Sequence, residues 1–74
     1  MGDFPAIDAK TMERVLLRLG FSAVRQKGCH VFYRHPDGRT TTVPHHQGRD
    51  LAGPLVRSIL KDINLTSQAF KDLL

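Results

Sequence analysis

The sequence predicts an α+β domain made of a helix, a three-stranded antiparallel sheet, a second helix and a short C-terminal helix. Two observations favour this class. Apolar residues recur at helical spacing near both ends of the chain, and short runs of β-formers separated by tight turns lie between them. Connections this short join antiparallel strands. The 74 residues predict one domain over 1–74, with no room for a deep active-site cavity.

The first helix is expected to begin at Asp8 or Ala9, because an aspartate side chain can accept a hydrogen bond from a free amide of the first turn. Gly20 is expected to end it as a left-handed cap, after which Phe21 folds back onto the helix. The predicted apolar face follows the i, i+3, i+4, i+7 spacing and consists of Met12, Val15, Leu16 and Leu19.

Strands are expected at residues 23–26, 30–34 and 40–43. Lys27-Gly28 forms the first predicted turn. The second is Pro36-Asp37-Gly38, in which proline presets φ and glycine tolerates positive φ. Both main helices are expected to cover one face of the sheet, leaving the other open.

Alternation along the second strand places its side chains on two sides of the sheet. His30, Phe32 and Arg34 share one side, and Val31 and Tyr33 share the other. Both sides mix apolar and polar residues, so periodicity leaves open which one is buried.

The second helix is expected from Leu51 or Ala52 to Ile63, with Asp50 as its cap and Pro54 confined to its first turn. Its predicted apolar face consists of Leu55, Ile59, Leu60 and Ile63.

Asn64 and Thr66 mark a break, and Thr66 is expected to cap a last helical piece. The predicted apolar contacts of that piece are Phe70, Leu73 and Leu74.

The charge balance favours an acidic partner. Lys and Arg number 11 and Asp and Glu number 7, for a net charge of +4 with neutral histidines. Nucleic acid, an anionic membrane or an acidic protein would all fit, although small soluble domains often carry this much charge. The single cysteine excludes an internal disulfide. Neither a signal peptide nor a membrane span is visible, so a cytoplasmic location is expected.

The segment Lys27-Gly28-Cys29-His30 carries the chemistry that we expect of the chain. Its glycine turn delivers His30 to the start of a strand, among basic residues. Histidine titrates near pH ~6.5 when unperturbed, so it can exchange protons at neutral pH. This arrangement indicates proton transfer on a polyanion, with His30 as the candidate group. From these residues alone, however, a strand histidine that merely hydrogen-bonds a carbonyl is the favoured interpretation.

The neighbours of His30 are candidates for binding a phosphate. Lys27, Arg25 and Arg34 can neutralise phosphate charge, and Gly28 leaves space for a phosphate to approach the backbone. An ordinary solvated strand face is the alternative. Cys29 could act as a thiolate paired with His30, but adjacent strand residues point to opposite faces, which makes a direct pair poor.

The remaining histidines lie at positions 35, 45 and 46. His46 is a candidate for a second proton-transfer group or a phosphate contact, provided that it lies close to His30, and a solvated loop residue is an equally good interpretation. His35 and His45 are expected on the surface. The spacings fit no zinc motif, so we expect no metal site and no cofactor.

Motifs along nearly the whole chain resemble the HicA family of small bacterial toxins. Phe4-Pro5 and the ending Leu19-Gly20-Phe21 look like the opening of the family, and residues 25–30 look like its central Gly-Ser-His motif. The other similar segments are Tyr33-Arg34-His35-Pro36-Asp37-Gly38, Thr42-Val43-Pro44 with His46 and Gly48, Arg57-Ser58-Ile59-Leu60-Lys61, and residues 65–74.

The resemblance implies a fold like a double-stranded RNA-binding domain and an endoribonuclease toxin that cleaves mRNA. It also implies a HicB-like antitoxin that covers the site, with the catalytic histidine of the family at His30. Here Cys29 stands where the family usually has serine, and Leu51-Ala52-Gly53-Pro54 replaces the commoner Leu-Lys-Pro-Gly. We expect single-stranded mRNA to be cut without a metal ion, because the 2′-hydroxyl of RNA is the nucleophile. RNA-binding would then involve Lys27, Gly28, Cys29, Arg25, Arg34 and His46.

Two other functions remain open from the sequence. A module that binds structured RNA without cutting it would have the same fold and charge. A protein-interaction domain whose basic surface meets only an acidic antitoxin is the other.

Overall fold

The elements follow one another as α1 (Ala9–Arg18), β1 (Ser22–Lys27), β2 (His30–Arg34), β3 (Thr40–Pro44), α2 (Gly53–Asp62) and α3 (Ser67–Asp72). This order confirms the predicted α+β arrangement, with boundaries shifted by one or two residues. The computed structural model of the chain describes residues 5–74, so Phe4 and the residues before it lie outside the described part.

Helix α1 begins and ends as its sequence predicts. The Asp8 carboxylate accepts a hydrogen bond from the backbone N–H of Thr11 at 2.9 Å, and this bond lowers the pKa of Asp8. Gly20 has φ +99°, and the Phe21 N–H donates to the Leu16 carbonyl at 2.9 Å. These features close the helix with a left-handed glycine and turn Phe21 into the core, where it is 2% exposed.

The sheet has the order β1-β2-β3, with both pairs antiparallel. The structure shows which side of β2 is buried, since Val31 and Tyr33 face the helices while His30 and Arg34 are exposed. The helices pack over the β3 side, and every residue of β1 is exposed. A bulge at Val24 interrupts the pairing of β1 with β2.

Helix α2 differs from the prediction at its first turn. Its N-cap is Ala52, which makes no side-chain hydrogen bond, so the predicted cap at Asp50 is wrong. Gly53-Pro54 starts the helix instead, because proline presets a helical φ and lacks the N–H that would otherwise need a partner. Asp50 pairs with Asp8 in an isolated bridge. The buried side chains of α2 and its C-cap are Val56, Ile59, Leu60 and Ile63, whereas Leu55 is only partly buried.

Helix α3 is held by its cap and by one aromatic side chain. The Thr66 hydroxyl accepts a hydrogen bond from the Ala69 N–H at 3.1 Å, as predicted for the cap. Phe70 is fully buried, whereas Leu74 is 46% exposed, so the predicted apolar contact of Leu74 is wrong. Leu74 lies beyond the helix end at Asp72, where the chain no longer directs it to the core.

We predict that Phe70→Ala destabilises the domain by about 3–5 kcal/mol, because it removes a buried ring and leaves a cavity beneath α3. That loss is a large part of the ~5–15 kcal/mol that stabilises a typical domain. Urea unfolding followed by circular dichroism measures it. The matched variant Leu74→Ala should change stability by less than about 0.5 kcal/mol. Similar unfolding midpoints for the two variants would contradict this account of α3.

Candidate active site

The turn between β1 and β2 positions His30 at the end of the sheet. Gly28 has φ +59° and Cys29 has negative φ, the pattern of a two-residue type II′ turn with glycine in its first central position. The side-chain amide of Gln26 donates to the Gly28 carbonyl at 3.0 Å and reinforces the turn. A Cβ at position 28 would meet nothing within 4 Å, so the positive φ is what requires glycine.

The three predicted cations lie on the same open face at different distances from His30. Lys27 is the cross-strand partner of His30, and Arg25 is the partner of Phe32. Arg34 is at the far end of β2, about 13 Å away along the strand at the usual rise per residue. None of the three cations forms an ion pair within the described residues. Lys27 is therefore the cation best placed to act on the same group as His30.

Cys29 lies between two imidazoles. Its Sγ is 3.7 Å from His46 Nε2 and 4.0 Å from His30 Nδ1, at the long end of the range for sulfur hydrogen bonds. The alternation argument against a Cys29–His30 contact fails because Cys29 belongs to the turn, and β2 starts only at His30. The structure therefore brings His46 to the same place as His30, as the hypothesis of a second proton-transfer group requires.

The backbone explains how His46 arrives there. His30 pairs with Pro44, the last residue of β3, and the His45 N–H then donates to the Cys29 carbonyl at 2.6 Å. This bond continues the β2–β3 pairing by one step beyond the strand. Successive residues of an extended chain point to opposite sides, so His45 and His46 face in different directions.

His30 and His46 line two different recesses. One, of about 460 Å³, lies on the sheet face and is lined by Lys27 and His30, with no carboxylate in its lining. The other, of about 540 Å³, is lined by His46, the cations Lys10 and Arg49, and the carboxylates Asp8 and Asp50. Of these two recesses, the one beside His30 has the charge that an anionic ligand favours.

His45 belongs to a buried network and is only half-exposed. The fully buried Tyr33 donates its hydroxyl proton to Glu13 Oε2 at 2.6 Å, and His45 Nε2 lies 3.0 Å from the same oxygen. The hydroxyl has one proton, so His45 is the donor in the second contact. Burial, with Glu13 second, raises the pKa of Tyr33, which keeps the phenol protonated. The expectation that His45 is a surface residue is corrected by this network.

His35 is also structural, contrary to the surface position expected from the sequence. Its Nε2 lies 3.1 Å from the Leu19 carbonyl, and its Nδ1 accepts from the Asp37 N–H at 3.1 Å. Its ring packs edge-on against Phe21, with 5.0 Å between centroids. These contacts join the end of α1 to the β2–β3 turn and place His35 away from the Cys29 group.

Sequence reasoning gave no role to Phe32, Tyr33 or Glu13. Tyr33 holds His45, and Phe32 lies in the middle of the open face with the Arg25 guanidinium 5.3 Å from its ring centroid. The alternation of side chains along β2 places Phe32 and Tyr33 on opposite sides of the strand, but it does not say which side is buried. Within residues 5–74, no group of three or more His, Cys, Asp or Glu side chains is arranged to hold a metal ion.

Comparison with known families identifies the chain. Residues 9–65 match the family described as HicA toxin of bacterial toxin-antitoxin. The chain belongs to the HicA toxin family. The matched segment runs from the start of α1 past the end of α2, so it contains His30, Cys29 and His46, while α3 lies beyond it.

Membership of the HicA family confirms the resemblance read from the sequence motifs, and it implies a cognate antitoxin as a partner. A search of curated proteins found no match for this HicA-family chain. In the part of the chain that the structure describes, no helix has the length and apolar character needed to span a membrane.

We predict that Tyr33→Phe costs about 1–3 kcal/mol of stability, because it leaves Glu13 and His45 without their common partner in a partly buried place. A double-mutant cycle with Glu13→Ala, measured by urea unfolding, tests the network. The two losses should be less than additive, since each variant removes the same hydrogen bond. Additive losses would show that Tyr33 and Glu13 act independently.

Proposed function

We propose that this HicA-family chain is a metal-independent endoribonuclease that cleaves mRNA in the cytoplasm, with His30 transferring protons. One observation carries the proposal. The exposed imidazole of His30 lies opposite Lys27 at the end of the sheet, and it contacts the Cys29 sulfur, which the imidazole of His46 contacts as well. Membership of a toxin family adds support, because cleavage of mRNA halts translation.

The proposed reaction uses the nucleophile that RNA itself supplies. The 2′-hydroxyl oxygen forms a bond to the adjacent phosphorus, and the bond from phosphorus to the 5′-oxygen breaks. One imidazole takes the proton of the 2′-hydroxyl, and the other, as an imidazolium, gives a proton to the departing 5′-oxygen. The products are a 2′,3′-cyclic phosphate and a 5′-hydroxyl, and no redox step or metal ion is required.

His30 and His46 divide these two roles because one imidazole cannot be base and acid in the same step. His30 Nδ1 and His46 Nε2 both lie within about 4 Å of the Cys29 sulfur, so the two rings are close to each other with the thiol between them. A proton-transfer group must come within hydrogen-bond reach of the oxygen that loses or gains the proton. The 2′-hydroxyl oxygen and the 5′-oxygen lie on opposite sides of the phosphorus, so each imidazole serves one of them.

The cations near His30 supply positive charge, and the turn between β1 and β2 leaves room for the RNA. Lys27, directly across from His30, stabilises the negative charge that builds on the phosphate oxygens as the phosphorus becomes five-coordinate. Arg25 and Arg34 continue the basic surface along the sheet and bind neighbouring phosphates. Gly28 leaves open space in which a phosphate can approach the backbone.

Cys29 positions the two imidazoles in this proposal and does not attack the RNA. Its thiol contacts both rings and is only partly exposed. It takes the place of the usual serine of the family, and a thiol offers weaker hydrogen bonds than a hydroxyl. The longer contacts seen here, 3.7 and 4.0 Å, agree with that weaker role.

The cognate antitoxin, which we propose is HicB-like, covers the surface around His30. That surface carries Lys27 and Arg25 without carboxylate partners in the described residues, so an antitoxin with acidic side chains would complement it. The same cations would otherwise bind the phosphates of RNA, and one surface cannot hold both ligands.

A module that binds RNA without cutting it is the second candidate. The observation in its favour is that basic side chains extend to Arg34, far from His30. The cleavage experiment below separates the two, since a binder would retain labelled RNA intact.

We predict that the purified protein cuts single-stranded RNA in the presence of EDTA and that His30→Ala abolishes the cutting. Loss of a positioned proton-transfer group costs about 10²–10⁴-fold in rate. Gel analysis of end-labelled RNA measures the rate, and circular dichroism checks that the variant folds. The control is Arg18→Ala, which removes an exposed cation on α1 away from the site. Equal cutting by wild type and His30→Ala would overturn the mechanism, and bound but uncut RNA would favour the binding module.

We predict that the cleavage rate of the wild type depends on pH as a bell, because one imidazole must be neutral and the other protonated. His46→Ala should lower kcat by about 10²–10⁴-fold and remove one limb of the bell, with little change in KM. If His46 only contacts a phosphate, KM rises and both limbs remain. That result would contradict the assignment of His46 as the second proton-transfer group.

A further inference from the structure

The open face of the sheet carries one aromatic side chain that the cleavage reaction does not use. Phe32 lies on β2 between His30 and Arg34, on the side away from the helices, and is only partly buried. Its immediate cross-strand neighbours are Arg25 on β1 and Thr42 on β3. A phenyl ring at this place is not part of the core, because the core lies on the Val31 and Tyr33 side.

Two shallow recesses meet at this ring. The first, of about 460 Å³, runs from Phe32 and Arg25 to Lys27 and His30. The second, of about 370 Å³, runs from the same pair in the opposite direction to Arg34. Neither recess has an acidic side chain in its lining. Together they form a continuous basic track along β2 with an aromatic ring at its midpoint.

The Arg25 guanidinium lies 5.3 Å from the centroid of the Phe32 ring. It has no carboxylate partner among the described residues. Both a phenyl ring and a guanidinium plane are surfaces on which unpaired nucleobases stack, while the charge of arginine also favours the phosphate backbone. The two side chains therefore offer stacking and charge at one point of the track.

We propose that Phe32 and Arg25 form a stacking subsite for one unpaired base of single-stranded RNA, next to the nucleotide that is cleaved at His30. The proposal rests on RNA being the ligand, as in the proposed function, and adds how the substrate is held. His30 and Phe32 alternate on one face of β2 with a separation of ~6.6 Å along the strand. A base on Phe32 thus belongs to a nucleotide adjacent to the reacting phosphate.

The subsite selects single strands over duplexes. In a duplex each base is paired and stacked on its neighbours, so no base face is available to a ring on a flat sheet. A single strand can turn one base towards Phe32 while its phosphates follow Lys27, Arg25 and Arg34. Stacking accepts every base, so the subsite adds affinity without requiring a particular sequence.

The experiment measures binding without cleavage, in protein that carries His30→Ala. Short fluorescent single-stranded RNAs are titrated by anisotropy against this protein and against versions that also carry Phe32→Leu or Phe32→Tyr. Leucine keeps the apolar volume but has no aromatic face, whereas tyrosine keeps the face. Leu17→Ala, at an exposed apolar residue on α1, is the matched control.

We expect Phe32→Leu to weaken binding about 5- to 150-fold, which corresponds to ~1–3 kcal/mol for one stacked base. Phe32→Tyr and Leu17→Ala should bind like the parent. The salt dependence should not change in Phe32→Leu, because no phosphate contact is lost, whereas Lys27→Ala should reduce the slope by about 0.7 for a single strand. An RNA of the same length that lacks its bases should bind the parent and Phe32→Leu equally, because it offers no base to stack.

The outcomes separate this subsite from the nuclease proposal. Equal affinity of the parent and Phe32→Leu, or the same loss for duplex as for single-stranded RNA, would overturn the subsite while leaving cleavage by His30 untouched. A Phe32-dependent gain in affinity for single-stranded RNA with no cleavage by the wild type would support the subsite and overturn the nuclease. If the His30→Ala protein binds no RNA while the wild type cuts it, the subsite is overturned and the nuclease stands.

Discussion

The candidate site depends on one backbone hydrogen bond beyond the end of the sheet. The His45 N–H donates to the Cys29 carbonyl at 2.6 Å, which joins the β1–β2 turn to the segment that follows β3. Without this bond the chain would leave the sheet at Pro44, and nothing in the local sequence would return His46 to Cys29. Strand pairing therefore brings the imidazoles of His30 and His46 close together, and side-chain contacts adjust their positions.

The same step of the backbone gives the two adjacent histidines different environments. His45 turns inward to the Tyr33 hydroxyl, which is in turn bound to Glu13 on α1. His46 turns outward to the Cys29 thiol. His45, which has a structural role, therefore directly precedes His46, the proposed proton-transfer group, and anchors it. Helix α1 affects the site through this chain of contacts although it lies on the other side of the sheet.

The sequence predicted the elements well where a single local rule decides the outcome. The apolar spacing of α1, its aspartate cap and its glycine end all depend on neighbours within a few residues, and the structure confirms them. The buried side of β2 could not be read in this way, because Phe32 and Tyr33 put an aromatic ring on each side. Glu13, which lies 20 residues before Tyr33, provides the partner that a buried phenol needs. The place of His46 beside Cys29, 17 residues earlier, is likewise a non-local result.

Strand β1 has a consequence for how copies of the chain meet. It is an edge strand that no helix covers, and such edges can pair with each other and aggregate. The bulge at Val24 breaks the even spacing of its free amide and carbonyl groups, and Arg25 and Lys27 would bring like charges together in any edge-to-edge pair. The residues that attract a polyanion to this face therefore also keep neighbouring copies apart, so solubility and ligand affinity are governed by the same few positive charges.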